Sequence, residues 1–367
     1  MSINIPNKDQ WAKMNDHLNS IAVTLGSRVD TYTWVGIRNV VRSGLAPELF
    51  PIGTQFIVPH SEYGDLVFDV VAHDYFKSAK DANAPTMTLL CHDVIRTLEF
   101  DAREAFYYAE NELPAGTYNI TLDADYSAWL AGTYQFTLTK ALPKGGQLSL
   151  IGYTLDNNNR WVCSYASNTA TEEIERVTVT SGNAGTNLGS FNRELNHPWK
   201  IAFGNSNYKE SAIRQYLNSS AEAGSVWTPQ TKFDRAPIWE SSAAGFMKGL
   251  DNDFLSIIGE VVVPCLTYAG DKYTVNDKFY LASLGEVSGS YFVTMDDDTS
   301  MFPYYSENDM YTGVLCKYED GAMSEWWLRS PDWTRINADV CYIDSDGTLN
   351  SNAAYMLYGL VPACTIV

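Results

Sequence analysis

At 367 residues, with 45% hydrophobic and 19% charged side chains, the chain is long enough for two ordinary domains and too apolar to stay disordered. Lys and Arg number 25 against 44 Asp and Glu, a net charge of −19 that repels phosphate backbones and anionic lipid, so no nucleic-acid partner is expected. No apolar run approaches the roughly 18 residues of a membrane span, and Met1 to Pro6 lack the basic stretch and apolar core of a signal peptide, so neither membrane insertion nor signal-peptide secretion is expected.

The first fifty residues read as a helical segment. Asn7 or Asp9 can cap a helix in which Trp11, Met14, Leu18, Ile21 and Leu25 recur at alternating spacings of 3 and 4, as in a short coiled-coil seam. Such a helix either joins copies of the chain or packs on its own domain. Trp34, Ile37, Val40 and Val41 mark a second helix stopping at Gly44.

Residues 51–175 are expected to form a β-sandwich-like domain. Thr54 to Val58 and Leu66 to Val71 read as strands separated by His60 to Asp65, and a helix is predicted over Asp101 to Glu110. Ala115-Gly116-Thr117-Tyr118-Asn119-Ile120-Thr121-Leu122 is echoed sixteen residues later by Ala131-Gly132-Thr133-Tyr134-Gln135-Phe136-Thr137-Leu138. Each copy is a glycine turn feeding an alternating strand, which suits antiparallel pairing better than a solenoid. The polar, glycine-rich stretch between Asp156 and Gly189 is the expected boundary. Beyond it, helices around Glu210 to Leu217 and Gly245 to Ile258, strands Val261 to Cys265 and Lys278 to Leu284, and short C-terminal strands give an α+β domain over 191–367.

No catalytic constellation stands out. The five histidines form no metal-binding spacing, although His60, His73 and His92 could meet across a sheet, and no phosphate loop, nucleophile elbow or dinucleotide fingerprint is present. The six cysteines contain no C-x-x-C pair and sit mostly in apolar runs, so they are read as reduced and structural. Asp344-Ser345-Asp346-Gly347 looks like part of a calcium loop, but the register puts Tyr342 and Ala353 where an EF-hand needs carboxylates. A hairpin turn joining Asp339 to Ile343 and Thr348 to Asn352, with Gly347 at positive φ, fits better. No cofactor or metal is expected.

Several stretches in order carry a resemblance: Gly204 to Asn218, Asp277 to Val287, Trp326-Trp327-Leu328-Arg329-Ser330-Pro331, Asp344 to Gly347 and Tyr358-Gly359-Leu360-Val361-Pro362-Ala363. Together they resemble a domain of unknown function common in phages, prophages and gut bacteria, similar to the C-type-lectin-like superfamily and to the variable proteins of diversity-generating retroelements, of which the phage major tropism determinant is a type. The likeness spans about residues 191–367. Upstream, Trp34 to Arg38 and Phe50 to Gly53 resemble the partner domain of such phage proteins.

The resemblance implies a C-terminal C-type-lectin-like domain preceded by a β-rich N-terminal domain with short helices. It also implies a non-enzymatic receptor-binding or adhesin protein of a phage tail, made in the host cytoplasm and carried in the virion. Its partners would be a host-cell surface protein or glycan and other phage tail proteins, with a homotrimer as the assembly. Carried onto this sequence, the variable ligand-binding face would comprise Trp333, Arg335, Asn337, Asp339, Tyr342, Asp344, Asp346, Asn350, Asn352, Tyr355 and Tyr358. Adenine-directed mutation of asparagine codons yields chiefly Asn, Tyr, Asp and Ser, which suits this tail. Trp333 departs from that rule, and Leu360-Val361 stand where the family carries an arginine. Other roles implied by related proteins are a virion structural or decoration protein, and a formylglycine-generating-type enzyme. The latter would need a copper-binding cysteine pair, for which Cys341 and Cys364 are the late candidates. In this reading Trp326 to Pro331 and Val361 to Val367 are scaffold, and Asp332 to Tyr358 is the face.

Overall fold

Thr33 closes the first turn of helix α1 (Trp34–Arg42): its Oγ1 accepts the Gly36 N–H at 3.1 Å, while Arg42 sits at the negative end of the helix dipole. One face of α1 buries Ile37, Val40 and Val41, and Gly44 at φ +75° ends the element where the sequence predicts. The computed structural model describes residues 33–102, 107–122, 131–144, 146–150, 161–166, 173–191, 204–230, 234, 236–267, 270–288, 299–306, 313–332 and 339–367. The helix predicted over Trp11 to Leu25 lies outside them.

A short helix α2 (Ala46–Leu49) leads into β1 (Gln55–His60) and β2 (Gly64–His73), an antiparallel hairpin in register from Gln55 opposite Asp69 to His60 opposite Gly64. Alternate residues of β1 are buried, as a half-buried strand requires. β3 (Met87–Cys91), buried throughout, pairs with β2, and β4 (Thr97–Glu99) follows.

The next strands form a separate seven-stranded sheet. They are β5 (Tyr107–Tyr108), β6 (Gly116–Leu122), β7 (Gly132–Leu138), β8 (Gln147–Leu150), β9 (Trp161–Ala166), β10 (Glu173–Ser181) and β11 (Thr186–Phe191), in the order β11-β6-β7-β10-β9-β8-β5. The internal repeat is its central hairpin, Gly116 opposite Leu138 through Leu122 opposite Gly132. Tyr118, Ile120, Tyr134 and Phe136 are buried on one face, and cross-strand hydroxyl pairs Thr117–Thr137 (2.9 Å) and Thr121–Thr133 (3.0 Å) line the other. The helix predicted over Asp101 to Glu110 meets a strand at Tyr107–Tyr108, where two β-favouring aromatics pair with Leu148 and Gln147.

This sheet is an excursion from the core. The chain leaves near Asp101 and returns at Gly204, where a Cβ would stand 2.9 Å from the Asp101 carbonyl oxygen and where φ is +79°. The buried Asp101 carboxylate accepts the N–H groups of Asn205 (3.0 Å) and Ala212 (3.1 Å), pinning the return to the departure.

After a 3₁₀ turn at Tyr208–Glu210 come α3 (Ala212–Leu217), α4 (Phe246–Gly249) and α5 (Asn252–Ile257). The helix predicted from Gly245 to Ile258 is broken at Leu250, because Asp251 turns its carboxylate to the Phe254 N–H (2.9 Å) and starts a new helix. A hairpin of β12 (Val261–Leu266) and β13 (Lys272–Asp277) precedes β14 (Phe279–Leu281), α6 (Leu284–Ser288) and α7 (Pro303–Ser306). The strand predicted from Lys278 to Leu284 stops at Leu281. Ser283 and Glu286 form a capping box: Ser283 Oγ accepts the Glu286 N–H at 3.2 Å, and Glu286 Oε2 accepts the Ser283 N–H at 2.8 Å.

The chain ends in β15 (Lys317–Glu319), β16 (Ala322–Ser324), β17 (Trp326–Pro331), β18 (Asp339–Ile343), β19 (Leu349–Ala353), β20 (Leu357–Gly359) and β21 (Pro362–Ile366). β21 enters the first sheet, ordered β1-β2-β3-β21-β14, and β4 closes the last one, ordered β19-β18-β17-β20-β4. The expected segments 51–175 and 191–367 are therefore linked by strand pairing, and one core cluster runs from Ile37 to Ile366. The fold is α+β, mostly strands in several sheets with short helices, and among the described residues no helix is long and apolar enough to cross a membrane.

Two histidines at the first sheet have their pKa values shifted in opposite directions. His60 is sandwiched between Tyr63 and Phe246; its Nδ1 accepts the N–H groups of Glu62 (3.1 Å) and Tyr63 (3.2 Å), leaving Nε2 to donate to the Phe246 carbonyl at 3.0 Å. Protonating Nδ1 would turn it against two donors, and burial also pushes its pKa below the ordinary 6.5. His92 instead binds the buried Asp69 carboxylate through Nδ1 at 2.7 Å, which raises its pKa. His60 therefore adds stability that is complete above 6.5 and is lost as pH falls below it; the His92 pair adds stability that is complete below 6.5 and is lost as pH rises through the raised value. In a pH titration of the imidazole proton resonances, the His60 midpoint is expected below 6.5 and the His92 midpoint above it. The reverse order would refute both assignments.

Candidate functional site

The predicted face is built outward from β17, in which all six residues, Trp326 to Pro331, are buried. A strand flanked on both edges and covered on both sides has to be apolar or internally satisfied. Both indoles meet that demand, Trp326 Nε1 donating to the Leu315 carbonyl (3.0 Å) and Trp327 Nε1 to that of Leu98 (2.9 Å). Arg329 and Ser330 bind Glu286 and the Leu284 N–H.

Trp327 stands opposite Tyr342 on β18, and Tyr342 opposite Asn350 on β19; two residues along, Val340 faces Asn352. Side chains directly opposed across antiparallel strands share a face, so Trp327, Tyr342, Asn350 and Asn352 fall on one side of this sheet. Tyr358 of β20 completes the group. Its ring stacks on Tyr342 with centroids 4.2 Å apart at 28°, and it lies 4.7 Å from the Trp327 ring. Asn352 Nδ2 donates to the Tyr358 hydroxyl at 2.8 Å. Burial and the neighbouring Tyr358 raise the Tyr342 pKa, so the Tyr342 phenol remains a neutral donor and acceptor at physiological pH.

Asn350 is exposed, and its Oδ1 accepts the following Ser351 N–H at 2.9 Å, which leaves its NH₂ group for a ligand. Four predicted residues, Tyr342, Asn350, Asn352 and Tyr358, are thus brought together over a buried tryptophan, in a gradient from the 6%-exposed Tyr342 to the open Asn350.

The remaining candidates are placed elsewhere. Asp344 and Asp346 shape the β18–β19 turn: Asp344 Oδ1 accepts from Ser345, Asp346 Oδ1 accepts the Thr348 N–H (2.9 Å) and hydroxyl (2.6 Å), and Gly347 takes φ +84°. Those bonds hold the exposed Asp346 carboxyl below the usual carboxylate range. The expected hairpin turn is what the structure has. Asp339 is buried at the start of β18 opposite Ala353, and the half-buried Tyr355 lies in the β19–β20 turn. Trp333, Arg335 and Asn337 lie outside the described residues.

Residues that sequence reasoning did not single out complete the surroundings. Trp327, read only as scaffold, is the bed on which both tyrosines rest. Asp332 accepts the Ser351 hydroxyl at 2.6 Å, tying β19 to the end of β17. The strand alternation of 349–353 separates Ser351 from Asn350 and Asn352, a signal present in the sequence. Of the two cysteines considered for copper, Cys341 is buried on β18 with its pKa pushed up to about 12, and Cys364 is buried on β21 with its pKa raised by burial and by Cys91.

A family model described as a domain of unknown function, DUF6273, matches residues 178–367. No curated protein matches the chain, and no solved structure does.

Proposed function

This chain belongs to the DUF6273 family, and from that premise we propose that it is a receptor-binding or adhesin protein of a phage tail. Its C-terminal part would be a C-type-lectin-like scaffold presenting a changeable polar and aromatic face to a host-cell surface protein or glycan. The observation that carries this reading is the division of labour within one sheet. β17 and β18 are buried along their whole length, Tyr342 included, whereas β19 and β20 bring up the half-buried Asn352 and Tyr358 and the open Asn350. Stacked tyrosines supply rigid contact area at little entropic cost, and the asparagine amides supply adaptable hydrogen bonds. Change at the open end of that gradient leaves the core packing alone, which is what a diversified surface requires.

The working protein would be a homotrimer held in the virion with other tail proteins. The test is binding of the purified full-length protein to host cells, measured by flow cytometry across a panel of candidate strains. Binding to at least one strain is expected, with Asn350→Ala/Asn352→Ala reducing it by about ten-fold, the loss given by about 1.4 kcal/mol. The melting temperature of that variant should stay within about 3 °C of the parent. A protein that binds no strain, or a variant that binds as well as the parent, would count against this face. Light scattering that returns a monomer would remove the trimer.

A further inference from the structure

β19 is the outermost strand of the last sheet, and among the described residues it pairs on one side only, with β18. An edge strand offers its outward N–H and C=O groups to any other strand, and folded proteins blunt such edges with proline, charge or a covering segment. The first sheet does so at β1. Pro59 has no N–H to offer, its carbonyl accepts the Asp251 N–H (3.2 Å), and Ser61 just beyond donates to the Gly249 carbonyl (2.7 Å). In β19, by contrast, Leu349-Asn350-Ser351-Asn352-Ala353 contains neither proline nor charge.

Which backbone groups of β19 point outward follows from the turn that precedes it. The Asp344 N–H bonds to the Thr348 carbonyl at 2.7 Å, so with the period of two Asn350 and Asn352 turn their backbone groups to Tyr342 and Val340 on β18. Ser351 and Ala353 therefore turn theirs to the free edge. Both outward N–H groups are occupied: Asn350 Oδ1 accepts that of Ser351 and Asn352 Oδ1 that of Ala353, each at 2.9 Å. Twice in succession an asparagine side chain covers the donor of the residue after it. The second cover is also held from its far end, where Asn352 Nδ2 donates to the Tyr358 hydroxyl at 2.8 Å. At the end of the strand the Ala353 carbonyl accepts the Met356 N–H at 2.9 Å, which closes the edge into the β19–β20 turn.

We propose that Asn350 and Asn352 guard this edge, keeping β19 from pairing with β19 of a second copy of the chain. Two such strands, antiparallel and centred on Ser351, would set Leu349 against Ala353 and would need the Ser351 and Ala353 donors that the asparagines hold. The guard role rests on strand geometry and stands apart from receptor binding. Asn350→Ala/Asn352→Ala uncovers both donors without adding a large apolar side chain. Sedimentation velocity of the full-length protein over a concentration series is expected to show the parent at one size throughout and the variant shifting to larger species as concentration rises; by mass action it keeps the parent's size at the dilution of a cell-binding assay. Adding Ser351→Pro removes one of the two donors at a position where an edge strand tolerates proline, and should return the variant to the parent's size. Amide hydrogen exchange reads each guard singly and needs no proline variant. Asn350→Ala is expected to speed exchange at Ser351, and Asn352→Ala at Ala353, each about five-fold. Tyr358→Phe, which frees only the far end of Asn352, should speed exchange at Ala353 and leave Ser351 unchanged. A double variant that keeps the parent's size at every concentration, association that persists after Ser351→Pro, or unaltered exchange at Ser351 and Ala353 would overturn the proposal.

Discussion

Glu286→Leu is expected to cost about 3–5 kcal/mol of stability, because it strands a guanidinium in the interior. Arg329 is 1% exposed and Glu286 fully buried. Two parallel hydrogen bonds join them, one at 2.6 Å between Arg329 Nη1 and Glu286 Oε2 and the other between Nη2 and Oε1. The same carboxylate closes the capping box of α6, so its loss also orphans the Ser283 N–H. Removing both charges in Glu286→Leu/Arg329→Met is expected to recover part of the loss. Recovery falls short of complete because Arg329 also donates to the Pro264 carbonyl through Nε (3.0 Å) and to the Leu281 carbonyl through Nη1 (2.7 Å), and methionine satisfies neither. Urea denaturation of the two variants against the parent checks this. A double variant less stable than Glu286→Leu would mean that the contacts of Arg329 with the Pro264 and Leu281 carbonyls, rather than its charge pairing, are what hold β17 in place.

That pair also shows where the sequence could be read and where it could not. Ser283-Leu284-Gly285-Glu286 carries the S-x-x-E spacing of a capping box, yet the apolar run from Phe279 to Leu284 outweighs it and predicts a longer strand. Elements with a strong local signal are found where predicted: α1 between its threonine cap and Gly44, the repeat hairpin, and the β18–β19 turn at Gly347. Their determinants lie within a few residues of one another. The pairing of β3 with β21 and of β4 with β20 has no local determinant, since it joins residues more than 250 positions apart, such as Leu89 and Cys364. For the predicted face, period-two alternation along 339–343 and 349–353 separates Tyr342, Asn350 and Asn352 from Asp339 and Ser351 once the strand ends are known.

Trp327→Ala is expected to cost about 3–5 kcal/mol, the range for emptying a large buried aromatic site, and to lower host-cell binding even under conditions where the variant remains folded. The indole is inaccessible to solvent, donates to the Leu98 carbonyl, and touches Phe100 at 5.7 Å between centroids as well as Tyr342 and Tyr358. Its removal opens a cavity beneath the tyrosine stack and leaves the Leu98 carbonyl without its donor. Trp327→Phe should retain much of the packing and lose chiefly that hydrogen bond, a smaller cost of about 1–3 kcal/mol. Tyr355→Ala, in a half-buried turn beyond the stack, should change stability by less than about 1 kcal/mol. Thermal denaturation and limited proteolysis of the three variants, set beside their cell binding, separate scaffold from face. If Trp327→Ala and Tyr355→Ala lose stability equally, the boundary between the two does not run between β17 and the β19–β20 turn, and the face cannot vary independently of the fold that carries it.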